Sequence, residues 1–318
     1  MPVHPLAVVD PAAEIHPDAV VGPFCMIRGA VRLAAGVELV SHVVVSGRTS
    51  IGPGTRVHPG AIVGGEPQDL KYAGEDTATV IGARCRIHEF ATIHRGTLTG
   101  GGITRLGDDV LVMAYAHIAH DCEVGDGVVI ANSAQLGGHC RIGRRAVIGG
   151  MVGMHHFVTV GELAMVGAMS GVRVDVPPYV LADGIPCEPR QINVIGLRRA
   201  GMTESDINDL REAFRDLYHD RGATTLRDAI ADVRERYTDK RDSPVWRLCD
   251  WLEEHLTTAI KGRLAEAHRA AVVGGRAHEG PTRPILCRHC GREFPAPLAA
   301  SPLLVACTHC GTQQMVSP

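Results

Sequence analysis

An aliphatic residue recurs at every sixth position over most of the first 172 residues, a period that few folds can use. From Val3 the steps land on Val9, Ile15, Val21, Ile27, Leu33, Leu39, Val45, Ile51, Val57 and Val63. They resume at Ile81, Ile87 and Ile93, then from Leu106 through Val112, Ile118, Val124, Ile130 and Leu136 to Val172. Four positions after each marker stands a small or β-branched residue, as at Ala19, Cys25, Val31, Ala116, Cys122 and Ala134. Helices repeat every 3.6 residues and simple strands every two, whereas six is a period of parallel β-helices. Each hexad supplies a short strand and a turn, and three hexads close a triangular coil. The 26 hexads make roughly nine coils, each rising about 4.8 Å. Such hexapeptide coils wind left-handed, against the usual right-handed crossover. The marker is expected to fill the interior and the small residue to let the chain bend at the corner. Glycines just after a marker (Gly22, Gly52, Gly125, Gly143, Gly161) are expected to serve a turn.

Composition agrees. Hydrophobic residues make up 45% of the 318, yet aromatics only 4%, and there are 37 glycines. That describes a core of small branched side chains, not one anchored by rings. A formal charge of −3 gives no sign of a nucleic-acid partner. There is no run of 18 apolar residues, and Met1 to Pro11 has no basic stretch leading into an apolar one. A cytoplasmic protein without a transmembrane segment is expected. Cys25, Cys85, Cys122 and Cys140 all fall four residues after a marker, where free cysteine packs as a small hydrophobe.

The repeat breaks at residues 65–80 and 97–104, and insertions in solenoids leave as loops, often on the binding face. Asp69 and Lys71 are the reachable charges of the first loop. The expected organisation is a mainly β chain: a left-handed β-helix over residues 1–185, then an α-helical domain over 186–271. A linker over 272–284 and a four-cysteine module over 285–318 follow. In the helical domain Thr203 starts a helix with Asp206 at capping-box distance, and Ile207, Leu210, Phe214 and Leu217 share one side. A second helix carries Leu226, Ile230, Val233 and Tyr237. A third starts at Ser243-Pro244 and buries Val245, Leu248, Leu252 and Leu256.

The densest polar cluster is Ala116-His117-Ile118-Ala119-His120-Asp121-Cys122. Ile118 is a marker and points inward, so His117 and His120 are expected outside. An 18-residue coil stacks His120 under Gly138 and Gly138 under His156, with Asp121 under His139 and His139 under Phe157. Histidine is a base poised near neutral pH, and Asp121 is placed to orient it. The Gly138 amide, with no side chain over it, is a candidate oxyanion donor. Acyl transfer to an alcohol is the chemistry this set suits.

At these residues the chain resembles the UDP-N-acetylglucosamine O-acyltransferases of lipid A biosynthesis, over roughly residues 1–260. The resemblance rests on Gln68-Asp69-Leu70-Lys71-Tyr72-Ala73-Gly74, Thr92-Ile93-His94-Arg95-Gly96-Thr97, the His117–Cys122 cluster, and Ser170-Gly171-Val172 followed by Asp175 to Val180. It implies His120 as general base, Asp121 as its partner and Gly138 as oxyanion amide. It further implies substrate contacts from Asp69, Lys71, His94, His117, His139, His155 and His156, and nucleotide contacts from Asn193 and Arg199. Ala168 and Met169 match the region that measures acyl length. The implied reaction moves a (3-hydroxy)acyl chain from acyl carrier protein to the sugar 3-position of UDP-N-acetylglucosamine, the first step of lipid A biosynthesis. A homotrimer with sites shared between subunits is also implied. The chain departs from the family at His156, where glutamine is usual, and at Ile195 and Ala200, where glutamate and a second arginine are common.

Three alternatives compete. A related transferase would use a different sugar nucleotide, perhaps a 3-amino one. A non-catalytic scaffold would only bind acyl carrier protein. A histidine metal site of the carbonic-anhydrase type would need His-x4-His, whereas the spacing here is His117-x2-His120. Separately, Cys287, Cys290, Cys307 and Cys310 read C-x2-C-x16-C-x2-C, the spacing of a four-cysteine structural zinc ribbon. Four thiolates fill a tetrahedral shell and leave no catalytic opening, so no cofactor is expected for catalysis.

Overall fold

The computed structural model describes residues 3–220, 222 and 224–257, and beyond them the backbone of residues 282–286, 293–297, 303–306 and 313–316. The hexads form three parallel sheets, each running the length of a prism. The first face holds nine strands from Val8–Val9 to Gly171–Val172, and the second holds eight from Glu14–Ile15 to Thr159–Val160. The third starts at Val20–Val21 and runs through Met165–Val166. It is then extended by Val180–Asp183, parallel, and Glu188–Ile192, antiparallel. Parallel sheets linked in this rotating order are consistent with a left-handed β-helix.

Register is one coil: His117 pairs with Gln135, and Gln135 with Gly153. Strands of two residues bury almost nothing singly, so stability comes from stacking. The markers Ile27, Leu39, Ile87, Ile118, Ile130 and Leu136 are each at most 1% exposed. Each such burial contributes about 1.5–3 kcal/mol. Cys25, Cys85, Cys122 and Cys140 are wholly buried among them, as expected.

Two details of the turn differ from expectation. The corner is made by the residue before the small one, which takes a left-handed conformation although it is rarely glycine: Phe24, Tyr115, Asp121 (φ 59°) and His139 (φ 62°) are examples. The small residue is the next strand's inward position. Gly22, Gly52, Gly125, Gly143 and Gly161, the glycines expected to serve a turn, have no left-handed φ. A Cβ on Gly22 would stand 1.8 Å from the Val40 carbonyl oxygen, so glycine is needed there for the close approach of the next coil.

The breaks are loops, as expected, but the first is shorter. Strand resumes at Ala78–Ile81, paired with both Arg48–Ile51 and Ile103–Leu106. After the prism come α1 (Val194–Arg199), α2 (Glu204–Tyr218), α3 (Leu226–Arg236) and α4 (Pro244–Thr257). Thr203 caps α2 by accepting from the Asp206 N–H, and Ile207, Leu210, Phe214 and Leu217 are buried. Ile230, Val233, Val245, Leu248 and Leu252 pack with them, while the Leu256 side chain lies outside the described residues.

Residues 1–257 form one compact unit and 258–318 a second. The second contains two antiparallel hairpins, Thr282–Leu286 with Glu293–Pro297 and Leu303–Ala306 with Gln313–Val316. In sequence, Cys287 and Cys290 fall between the strands of the first hairpin, and Cys307 and Cys310 between those of the second. The four cysteines themselves lie outside the described residues.

Candidate active site

The edge between the first and second faces collects the expected histidines. His120 leaves the strand His117–Ile118 at this corner and faces away from the core, yet it is only 7% exposed. Its ring meets His139 edge-on at 5.0 Å between centroids, and His139 stacks on Phe157 at 4.3 Å. The Nδ1 of His120 lies 2.9 Å from Asp121 Oδ2. An ionised carboxylate only accepts, so this contact places the proton on Nδ1 and leaves Nε2 as the basic nitrogen.

Asp121 is itself buried. Burial alone would raise its pKa, but hydrogen bonds from His120 and Thr97 outweigh that and hold the carboxyl below the usual range. The Thr97 N–H donates to Oδ1 at 2.9 Å and its hydroxyl to Oδ2 at 2.5 Å. His139 Nδ1 is a further neighbour of Oδ2 at 3.8 Å.

Gly138 lies one coil above His120, as the stacking predicts. Its N–H donates to His156 Nδ1 at 3.1 Å, so the expected oxyanion amide already has an acceptor in the free chain. His155 packs edge-on against His156. Below, His117 shares a 2.8 Å hydrogen bond with the Thr92 hydroxyl and meets the His94 ring edge-on at 4.8 Å. His94 is 7% exposed, and its Nδ1 is buried without a hydrogen-bond partner. Burial first, then the charges of His117, His120 and Arg95, bring its pKa down to about 4, so it is neutral near pH 7. Burial and His120 likewise lower that of His117.

The loop with Asp69 and Lys71 is pinned over this region by Arg95, which donates to the Tyr72 hydroxyl (2.9 Å), the Gly64 carbonyl and Glu66. Asp69 Oδ1 accepts the Lys71 N–H in a local turn. A cavity of about 470 Å³ is lined by Gln68, His117, His120, Gln135, Gly138, His155 and His156. It continues past Gly153 and Gly171 to Arg173, a floor where side chains are missing.

Asp69, Lys71, His94, Asp121 and His139 border this region without lining the cavity, and four further expected residues lie at other edges. Ala168 and Met169 sit on another edge, between the third and first faces, and both are exposed. Asn193 caps α1: its carboxamide accepts from the Gly196 N–H and donates to the Leu163 carbonyl, at the edge between the second and third faces. Arg199 ends α1, exposed, its carbonyl accepting from Arg145. Conversely, sequence reasoning missed Thr97, Thr92, Gln68 and Arg173. Thr97 had a signal, because it opens a glycine-rich break in the repeat.

Stacked hexads that bring a histidine–carboxylate pair against a glycine amide define a hexapeptide-repeat transferase. The bacterial transferase hexapeptide description matches residues 103–138, and the UDP N-acetylglucosamine O-acyltransferase domain 2 description matches residues 175–258. The acyl-[acyl-carrier-protein]–UDP-N-acetylglucosamine O-acyltransferase of Rhizobium johnstonii is 42% identical over 237 residues, 74% of this chain and 86% of the relative. The chain belongs to this O-acyltransferase family. Among solved structures, LpxA from Acinetobacter baumannii is 38% identical with a TM-score of 0.76, covering 80% of this chain and 97% of that one. The UDP-N-acetylglucosamine acyltransferase of Arabidopsis is 30% identical with a TM-score of 0.68, covering 78% and 94%.

Proposed function

We propose that the chain transfers a (3-hydroxy)acyl group from acyl carrier protein to the 3-hydroxyl of UDP-N-acetylglucosamine, opening lipid A biosynthesis in the cytoplasm. Membership of the family supports the reaction, and the observation that carries its chemistry is the His120–Asp121 pair set against Gly138. His120 Nε2 takes the proton of the sugar hydroxyl as that oxygen attacks the thioester carbonyl carbon. The carbonyl oxygen, now negative, replaces His156 Nδ1 as the acceptor of the Gly138 N–H. Collapse expels the carrier's thiolate, which takes the proton back from His120, leaving an ester and a free thiol. Asp121 stays ionised and stabilises the imidazolium between those steps.

In the remaining assignments, Asp69, Lys71, His94, His117, His139, His155 and His156 contact the sugar or position the reacting ends. The trough over Gly153 and Gly171 takes the acyl chain, with Ala168 and Met169 affecting its length from the far edge of that face. Asn193 orients α1, and Arg199 contacts the nucleotide. Because α1 is anchored at a different edge from His120, Arg199 reaches the nucleotide of a site on another copy, which supports a homotrimer with shared sites. A left-handed hand and a structural zinc on Cys287, Cys290, Cys307 and Cys310 complete the reading. The two hairpins that flank the C-x2-C pairs support the zinc ribbon. Among the described residues, no helix is long and apolar enough to cross a membrane.

The test is mass spectrometry of products from the purified protein given acyl-carrier thioesters with UDP-N-acetylglucosamine or its 3-amino analogue. An O-acyl product supports the reading, an amide formed only with the analogue replaces it with the 3-amino alternative, and no product with either overturns it.

A further inference from the structure

The second break in the hexad repeat returns to the prism around one side chain. Residues 95–102 leave after the strand Thr92–His94, make a short 3-10 turn over Leu98–Gly100 and rejoin at Ile103–Leu106. Thr97 in this segment and Thr104 in the strand it rejoins are both buried and both bind Asp121. Thr104 accepts the Asp121 N–H at 2.8 Å, which holds the left-handed corner, while Thr97 donates twice to the carboxylate. The loop presses against that carboxylate. A Cβ on Gly100 would stand 1.9 Å from Asp121 Cγ, and one on Gly96 would stand 2.8 Å from Oδ1. Water is thereby replaced by the Thr97 N–H and hydroxyl, and the Asp121 side chain is fully covered.

A carboxylate so placed has one remaining short contact that varies during a reaction, the 2.9 Å bond to His120 Nδ1. Rotation about χ2 would break it, and the paired Thr97 bonds forbid that rotation. Charge-assisted bonds of this kind contribute about twice what neutral ones do. We propose that Thr97 is a positioning residue for the transfer, holding Asp121 ionised and aimed so that His120 keeps Nε2 free for the acceptor hydroxyl. The inference rests on the acyl-transfer reading above, and it assigns the inserted loop to the base and not to substrate capture.

The experiment is a double-mutant cycle in the full-length protein with Thr97→Val, Asp121→Ala and the double variant, plus Thr97→Ser. Valine keeps the shape and the N–H but removes the hydroxyl. Thr97→Val is expected to lower kcat about 10-fold with KM for UDP-N-acetylglucosamine within about 2-fold, and Thr97→Ser to restore kcat to within about 2-fold of the parent. In the Asp121→Ala background the Thr97→Val change is expected to cost nothing further, because residues acting through one contact are not additive. Equal losses in both backgrounds would show a merely structural role and overturn the proposal, as would near-normal kcat for Thr97→Val. Failure of the reading itself would look different: Asp121→Ala would then retain full turnover.

Discussion

The His120 ring lies directly across Gly138: a methyl group on that α-carbon would stand 2.5 Å from His120 Cε1 and 2.7 Å from Nε2. Glycine is therefore required by the ring as well as for access to the amide. Gly138→Ala should push the imidazole off its axis while keeping the N–H. A displacement of about 1 Å at a reacting group costs about 10²-fold, so kcat should fall by that order with the circular dichroism spectrum unchanged. An active Gly138→Ala enzyme would show that His120 does not work from this position.

Removing the base is the direct counterpart. His120→Ala should lower kcat by at least about 10²-fold, the usual loss for a general base. Thermal unfolding should stay close to the parent's, since His120 lies outside the hexad core. Steady-state kinetics beside calorimetry separates the two effects.

The proposed sharing of sites between copies has a quantitative consequence. His120 and α1 belong to different edges of one prism, and under that proposal a complete site draws on two subunits. Sedimentation should report about 102 kDa, three times the 33.9 kDa chain. Co-expressed His120→Ala and Arg199→Ala chains should recover roughly a quarter of the sites, because random mixing into closed rings pairs two intact halves that often. Each variant alone should be nearly inactive, and a mixture no better than its parts would place Arg199 and His120 in the same subunit's site.

Stability should depend on pH through the buried histidines. The folded pKa of His94 is brought down to about 4, by burial first, whereas an unfolded histidine titrates near 6.5. Between those values the unfolded chain binds more protons, so stability is complete above about pH 6.5 and is lost as pH falls toward 4. His117 adds in the same direction. Calorimetry across this window should show a falling Tm for the parent and a shallower fall for His94→Gln. Parallel slopes would mean that folding leaves the His94 pKa where it lies in the unfolded chain.

The tail should bind one zinc per chain through Cys287, Cys290, Cys307 and Cys310, measured by metal analysis and lost in Cys290→Ser. Chelation should melt the tail, because small metal modules derive most of their stability from the ion. The unit over residues 1–257 has its own core, so deletion after Gly274 should leave kcat within about a few-fold. Loss of activity on deletion would tie the tail to the site or to assembly.

The prism was legible because a solenoid writes its periodicity into local spacing. Each marker reports its own burial, and the 18-residue coil makes the neighbours of Gly138 calculable by addition. The same arithmetic brought His120, Gly138 and His156 together correctly. It could not show that His156 accepts the Gly138 N–H, since ring orientation depends on packing around His155 and Phe157. The corner was misassigned by one residue because left-handed φ at Asp121 or Tyr115 has no marker in composition; stacking onto the coil below holds it there.

By itself, then, the sequence determined the coil, its length, the buried cysteines, the three later helices and the edge on which the histidines gather. Those are matters of spacing along the chain, where burial follows period. Only the tertiary structure decided what surrounds Asp121, why Gly138 must lack a side chain, and that Asn193 serves as a helix cap at another edge. Each of these depends on the path of an inserted loop or on the direction of a hydrogen bond. Residues 24 positions apart, such as Thr97 and Asp121, are joined there by geometry that no repeat encodes.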